Sequence, residues 1–324
     1  MKQIMFSSVL VLCCGLAAAQ PAAPRVGILT DGVSDFWTGL RDAAMAQAAE
    51  QGIALDFRMP SPATTDQQQE LARQMLESGV QALAVCPVKP AAQKDFINEL
   101  AGKTVLLTLL SDVPGANRRA FLGRDETEAG KQLGELVKTS VPDGLKVLPF
   151  CKDPLDAATQ ARLAGFETVA GELFSVEKPK ADQGDKMLAS VNVSETLQKR
   201  PEIAGLIGLE DYQTRAMARA VVEKGRARMV RIVGLGSTPD LLQALQEGIV
   251  HGLVVDDAQG AAPVILNALK ALATGDTAFV VPEDGCIRTP VTTLKTGKGL
   301  SSQEMIDALK VQVPWISEAT PGQP

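Results

Sequence analysis

The chain has 324 residues and a formal net charge of -6, with 45% hydrophobic, 22% charged and only 4% aromatic residues. That is a globular composition, long enough for about two domains with a large buried core. A sequence pI near 5.1 and the lack of a basic run argue against nucleic acid or anionic membrane as a partner. Five Cys exclude a disulfide scaffold, and a single His leaves little for His-based catalysis or metal binding.

The first segment reads as an export signal. Lys2 gives a positive start, Met5 to Leu16 is apolar, and Ala17-Ala18-Ala19 offers small residues before Gln20. Cleavage is expected after Ala19, which makes residues 1–19 a signal peptide and leaves a mature charge of -7. The apolar run is too short to span a bilayer, which takes roughly 20 residues. Lipidation at Cys14 is disfavoured, because Val11, Leu12 and Cys13 stand where small residues are expected. Cys86, Cys151 and Cys286 remain, and the reading is three buried, inert thiols.

Strand and helix patterns then alternate. Strands are predicted over 25–29, 53–57, 82–85, 105–109 and 120–122, with helices over 35–51, 65–78, 91–101 and 126–139. The series resumes with strands over 146–149, 174–178, 203–207, 230–233 and 250–255. Helices are predicted over 157–171, 184–199, 211–224, 239–246 and 258–273. Residues 280–283 and 287–294 read as extended crossing segments. Residues 301–311 read as a short helix, followed by a Pro-rich tail. Asp35 and Asp211 are placed to cap the helices they open. Apolar strands spaced by helices build parallel sheets covered on both faces, and the series is long enough for two doubly wound sheets. Ligands in such sheets bind outside the carboxyl ends of the strands.

Most catalytic patterns are missing. Gly234-Leu235-Gly236 opens like a dinucleotide fingerprint, but Pro239 replaces its third Gly. There is no phosphate-cradling Gly-rich loop followed by Lys-Ser/Thr, no HExxH and no Gly-x-Ser-x-Gly elbow. His251, at the head of a strand, reads as structural. Asn192-Val193-Ser194 matches a glycosylation acceptor that arises often by chance. No cofactor and no metal is expected.

What remains suits binding. Phe36 and Trp37 follow the first strand, where exposed aromatic faces can stack on the C–H face of a sugar ring. Asp35, Asp112, Glu210, Asp211, Asp256 and Asp257 recur at the same level. Each carboxylate can grip vicinal hydroxyls or cap the following helix. Arg162 has five donors for ring or hydroxyl oxygens.

The order of these segments resembles the type I periplasmic binding proteins, in particular the ribose-binding-like receptors of ABC importers. Ser34-Asp35-Phe36-Trp37 is similar to the family's Asn-Pro-Phe-Phe. Residues from Ser111-Asp112-Val113-Pro114 through Phe121-Leu122-Gly123-Arg124-Asp125 to Gly130 resemble its Asp-Ser-Asp-x-Pro and Tyr-x-Gly-Thr-Asp-Asn stretch. Arg162-Leu163-Ala164-Gly165-Phe166 matches its Arg-x-x-Gly-Phe, and Glu210-Asp211 falls on its Asn-Asp pair. Ile232-Val233-Gly234-Leu235-Gly236 falls on Val-Gly-Phe-Asp, and Asp256 on a cleft Gln.

The resemblance implies an α/β fold of two doubly wound, Rossmann-like parallel-sheet lobes joined by a three-strand hinge. The lobes would be 25–124 plus 257–285 and 125–256 plus 286–316. A small polar ligand would bind between them, held by Asp35, Phe36, Trp37, Cys86, Asp112, Arg162, Glu210 and Asp256. Hinge closure would present the complex to an ABC permease in the membrane. The expected protein is a periplasmic monomer, a sugar-binding substrate-binding protein of carbohydrate transport and not an enzyme. Four departures stand out. Gly236 and Leu110 replace cleft acids, and Glu210 and Asp256 replace amides. A gain of acids over amides points away from plain ribose, toward a different hydroxyl pattern or an amino-sugar. A sensing module for a chemoreceptor or kinase is the alternative. A sugar repressor would need a DNA-binding helix pair where the export signal stands.

Overall fold

The computed structural model describes residues 23–296, apart from Arg228. The predicted signal segment, Cys13, Cys14 and the predicted helix over 301–311 lie outside the described residues.

The first sheet is all parallel, in the order β12-β5-β4-β3-β1-β2. Its strands are β1 (Arg25–Leu29), β2 (Ala54–Arg58), β3 (Ala82–Val85), β4 (Val105–Leu109), β5 (Ala120–Arg124) and β12 (Cys286–Thr289). The inner strands are continuous apolar runs because helices cover both faces. One face meets α1 (Asp35–Glu50) and α9 (Ala258–Thr274); the other meets α2 (Thr65–Glu77) and α3 (Lys94–Ala101). A single 3-10 turn, Pro90–Ala92, precedes α3, where the sequence pattern ran one helix through both.

The second sheet runs β13-β11-β10-β9-β6-β7, with β8 also on β6. Its strands are β6 (Lys146–Cys151), β7 (Ser175–Val176), β8 (Lys180–Ala181), β9 (Ile203–Gly208), β10 (Arg231–Leu235), β11 (Gly252–Asp256) and β13 (Val291–Lys295). Only β13 is antiparallel. Helices α4 (Glu126–Ser140) and α5 (Ala157–Ala170) cover one face. The other is covered by α6 (Lys186–Lys199), α7 (Asp211–Glu223) and α8 (Pro239–Gln246).

The strand predicted over 174–178 shortens to β7, and β8 follows beyond those bounds; the cause is local. Val147 and Cys151 accept from the flanking strand through their carbonyls, from Glu177 and Asp182. Pro149 faces the same side and has no N–H to give. The neighbour therefore breaks into β7 and β8 around Pro179.

Three crossings join the sheets: β5 into α4, β11 into α9, and β12 into β13. They lie side by side, with Asp125 N donating to Thr289 O at 3.1 Å and Asp257 N to Pro290 O at 3.2 Å. The expected boundary at 285/286 is corrected here. Cys286–Thr289 pairs with β5 in the first sheet, so the step to the second falls at Pro290. Residues 280–283 form no strand.

Candidate functional site

The first half of the site is built on the loops after β1, β3 and β4. Ser34, not Asp35, caps α1; its Oγ accepts from Trp37 N at 3.2 Å. Asp35 is exposed in the first turn. Trp37 does not present the open face expected of it, being only 6% exposed. Its indole N–H donates to Asp31 Oδ1 at 2.7 Å, which satisfies the one polar atom of a buried ring. Phe36 is half-buried and meets Trp37 edge-on, with ring centroids 5.0 Å apart. Cys86 is buried beside Asp31, and burial together with that carboxylate pushes its thiol pKa well up.

A pair of buried glutamines fixes these loops. Gln68 Nε2 donates to Thr30 O at 2.8 Å and Cys86 O at 2.7 Å, while Gln93 Nε2 donates to Gln68 Oε1 at 2.8 Å. Asp112 is gripped by Arg118, through Nε at 2.5 Å and Nη2 at 2.6 Å, and by Thr108 Oγ1 at 2.7 Å. Burial raises its pKa, but the Arg118 and Thr108 hydrogen bonds outweigh burial and hold it below the usual carboxylate value.

The second half depends on a close helix crossing. A Cβ on Gly130 of α4 would lie 2.0 Å from Arg162 O, and one on Gly165 of α5 would lie 2.1 Å from Thr127 O. Only glycine lets these backbones touch. The contact brings Glu126, in the first turn of α4, against Arg162. Arg162 Nε donates to Glu126 Oε2 at 2.5 Å; Nη1 donates to Glu210 Oε1 at 2.7 Å and to Leu209 O. The Arg162 side chain is 7% exposed, not a solvated surface arginine. Burial lowers its pKa, and the two glutamates more than restore it. Glu210, not Asp211, is the N-cap of α7, and its N–H donates to Gln213 Oε1 at 3.0 Å. Asp211 pairs with Arg215 at 3.3 Å. Next to this group, buried Asp182 accepts from Tyr212 O–H at 2.6 Å and Gln213 Nε2 at 2.5 Å.

At the crossings, Arg124 grips Asp256 with two parallel bonds, Nε to Oδ1 at 2.7 Å and Nη2 to Oδ2 at 2.8 Å. Asp257 caps α9 through Gly260 N at 3.0 Å.

The sequence-predicted residues therefore all stand at the carboxyl ends of the two sheets. Asp35, Phe36, Trp37, Cys86 and Asp112 stand on the first sheet, Arg162, Glu210 and Asp256 on the second. The reading missed the partners: Asp31, Arg118, Arg124, Glu126, Asp182 and Tyr212. Arg124 alone left a signal, standing where the resembled motif carries Thr. A surface groove of about 590 Å³ lies elsewhere, against edge strand β2 and lined by Arg25, Arg41, Phe57 and Arg58. None of the candidate residues lines it.

Comparison with known proteins agrees with this architecture. The periplasmic binding protein domain matches residues 26–277. The chain belongs to the periplasmic binding protein family.

This periplasmic binding protein is 25% identical over 297 residues to the D-ribose/D-allose-binding protein of Pseudomonas aeruginosa, covering 85% of this chain and 89% of that one. It is 22% identical over 293 residues to the D-allose-binding periplasmic protein of Escherichia coli, covering 86% and 93%. Among solved structures, AraP, an arabinose binding protein from Geobacillus stearothermophilus, superposes with a TM-score of 0.70 at 18% identity, covering 89% of this chain and 99% of that one. A mutant XylFII-LytSN complex gives 0.72 at 20% identity, covering 85% and 99%. The fold is the type I periplasmic binding protein fold, two largely parallel sheets flanked by helices. Among the described residues, no group of His, Cys, Asp or Glu could hold a metal ion, and no helix is long and apolar enough to cross a membrane. Asn192, the possible glycan acceptor, is buried with its Nδ2 donating to Ala181 O at 3.0 Å.

Proposed function

We propose that this chain is an extracytoplasmic sugar receptor. It captures a sugar or polyol between its two sheets and delivers it to an ABC importer. The observation that carries the reading is the Arg162 group. A guanidinium nine-tenths buried is held by Glu126 and Glu210 at the carboxyl ends of the strands, leaving Nη2 without a bond to any described residue. An oriented donor among carboxylates, with Phe36 at the carboxyl end of the other sheet, suits a polyhydroxylated ring. The three short crossings act as the hinge, and a ligand touching both lobes favours the closed form. Export after Ala19 places the receptor outside the cytoplasm. The names of the curated relatives make D-ribose and D-allose the first compounds to try.

Thermal unfolding of the protein begun at Gln20 tests this, against D-ribose, D-allose, D-arabinose and simple polyols. A ligand that binds only the folded form stabilises it by RT ln(1 + [L]/Kd), about 4 kcal/mol at a thousandfold excess over Kd. An upward shift with one compound, weakened in Arg162→Ala, is the expected result. A flat response across the whole panel refutes the reading.

A further inference from the structure

Arg124 occupies an unusual place. It is the last residue of β5, in the first sheet, and its partner Asp256 is the last residue of β11, in the second. The pair therefore spans the two sheets beside the crossings. Both oxygens of Asp256 are taken by one edge of the guanidinium. Each Asp256 oxygen accepts one of these bonds, so the carboxylate orients the arginine and keeps its remaining lone pairs.

The other edge of that guanidinium is open. Arg124 Nη1 makes no hydrogen bond to any described residue, and the side chain keeps 22% of its surface exposed. Burial lowers the Arg124 pKa, but Asp256, Glu126 and Glu210 together hold it above the ordinary arginine value. Glu126 follows Arg124 by two residues and, with Glu210, clamps Arg162, so the two guanidinium groups belong to one polar cluster. Arg162 Nη2 is likewise without a bond to a described residue. Two fixed arginines thus each keep one terminal NH2 for a ligand.

The charges decide what that ligand can be. Two guanidinium groups and three carboxylates leave the cluster with a small negative excess, which does not favour an anion. An ammonium cannot accept a hydrogen bond and would meet N–H donors head-on. A neutral hydroxyl or ring oxygen fits both constraints. Resting on the sugar-receptor reading above, we propose that Arg124 is a specificity-determining residue of this site. Its Nη1 donates to a ligand hydroxyl or ring oxygen beside the hinge, and Asp256 is the positioning residue that aims it. The amino-sugar that a count of acids suggests is disfavoured at this position, because those acids are already matched by arginines.

Titration calorimetry with D-ribose, D-allose and their monodeoxy and amino derivatives tests the proposal. Arg124→Ala alone would orphan a half-buried carboxylate, so the decisive variant is Arg124→Ala/Asp256→Ala, with Asp256→Asn as the milder change. The wild type is expected to bind a parent sugar and to lose about 10- to 100-fold on replacement of one particular hydroxyl by hydrogen or an amine. The double variant is expected to bind the parent about 10- to 100-fold more weakly and to be indifferent to that same replacement. Asp256→Asn is expected to fall between, with its discrimination reduced. A role in stability alone would leave the discrimination intact. Parent binding within twofold of wild type in the double variant overturns the proposal while sparing the receptor reading. Discrimination retained in the double variant overturns it as well. A wild type that binds none of these sugars sinks both.

Discussion

Gly130→Ala is the sharpest probe of how the site is held. The added Cβ would sit 2.0 Å from Arg162 O, 2.8 Å from Arg162 C and 2.9 Å from Phe166 N, all backbone atoms of the facing helix. Ordinary contact starts near 3.4 Å, so α4 and α5 must part by roughly 1.4 Å. Ala gains about 1 kcal/mol of helix propensity over Gly. Overpacking against rigid backbone costs about 3 kcal/mol or more, and the clash wins by about 2 kcal/mol. Parting the helices also draws Glu126 away from Arg162, so sugar binding should fall with stability. Thermal unfolding followed by circular dichroism measures the first effect, with Tm falling by about 2–4 °C per kcal/mol. Gly165→Ala meets Thr127 O at 2.1 Å in the same seam. One separation relieves both clashes, so the double variant should lose less than the sum of the singles. A Gly130→Ala protein as stable as wild type would refute the close-crossing argument.

His251 supplies a pH dependence that one residue can explain, because it is the only His in the chain. Burial, aided by Arg231, pushes its pKa down to about 4. Ile232 N–H faces its Nδ1 at 3.2 Å and Arg231 Nη1 faces its Nε2 at 3.0 Å, so a doubly protonated ring fits neither neighbour. The unfolded chain takes up the proton first. Stability should therefore be complete above about pH 6.5 and decline as the pH falls toward 4. His251→Gln should flatten that part of the curve, and an unchanged slope would assign it elsewhere. The thiols give a second check, in the protein begun at Gln20. Cys86 and Cys151 are buried, and burial raises the Cys151 pKa to about 11, whereas Cys286 is partly exposed. Ellman's reagent should modify one thiol slowly in the native protein and three after denaturation; rapid reaction of all three would contradict the packing.

The sheets were legible because apolar runs such as Ala82–Val85 and Val105–Leu109 carry their own signature. Caps were legible only to within one residue. Ser34 and Asp35 can both accept from a helix N-terminus, as can Glu210 and Asp211, and the choice depends on where the preceding strand ends. The level of the candidate residues was legible too, since a carboxylate after a strand stands at the carboxyl end in any parallel sheet. Its pairing was not. Arg124 and Asp256 are 132 positions apart, and Arg162 and Glu210 are 48 apart. Only the crossings and the Gly130–Gly165 contact bring them together. An acid counted alone looks like a ligand for amines, whereas beside its arginine it becomes a support. Trp37 shows the same limit, because Asp31, six residues earlier, turns an expected open face into a buried anchor.

The placement of β12 sets the order in which this molecule can be completed. It flanks β5 in the first sheet, yet it is made roughly 160 residues later, after almost all of the second sheet. Neither half is contiguous along the chain, so cutting between them yields no self-sufficient piece. Such long-range closures slow folding, because ordering must precede the contacts that reward it. During synthesis the first sheet lacks its edge until Thr289 has been added. The last strand added to the first sheet is thus also its edge, so until then β5 carries an unpaired row of backbone groups.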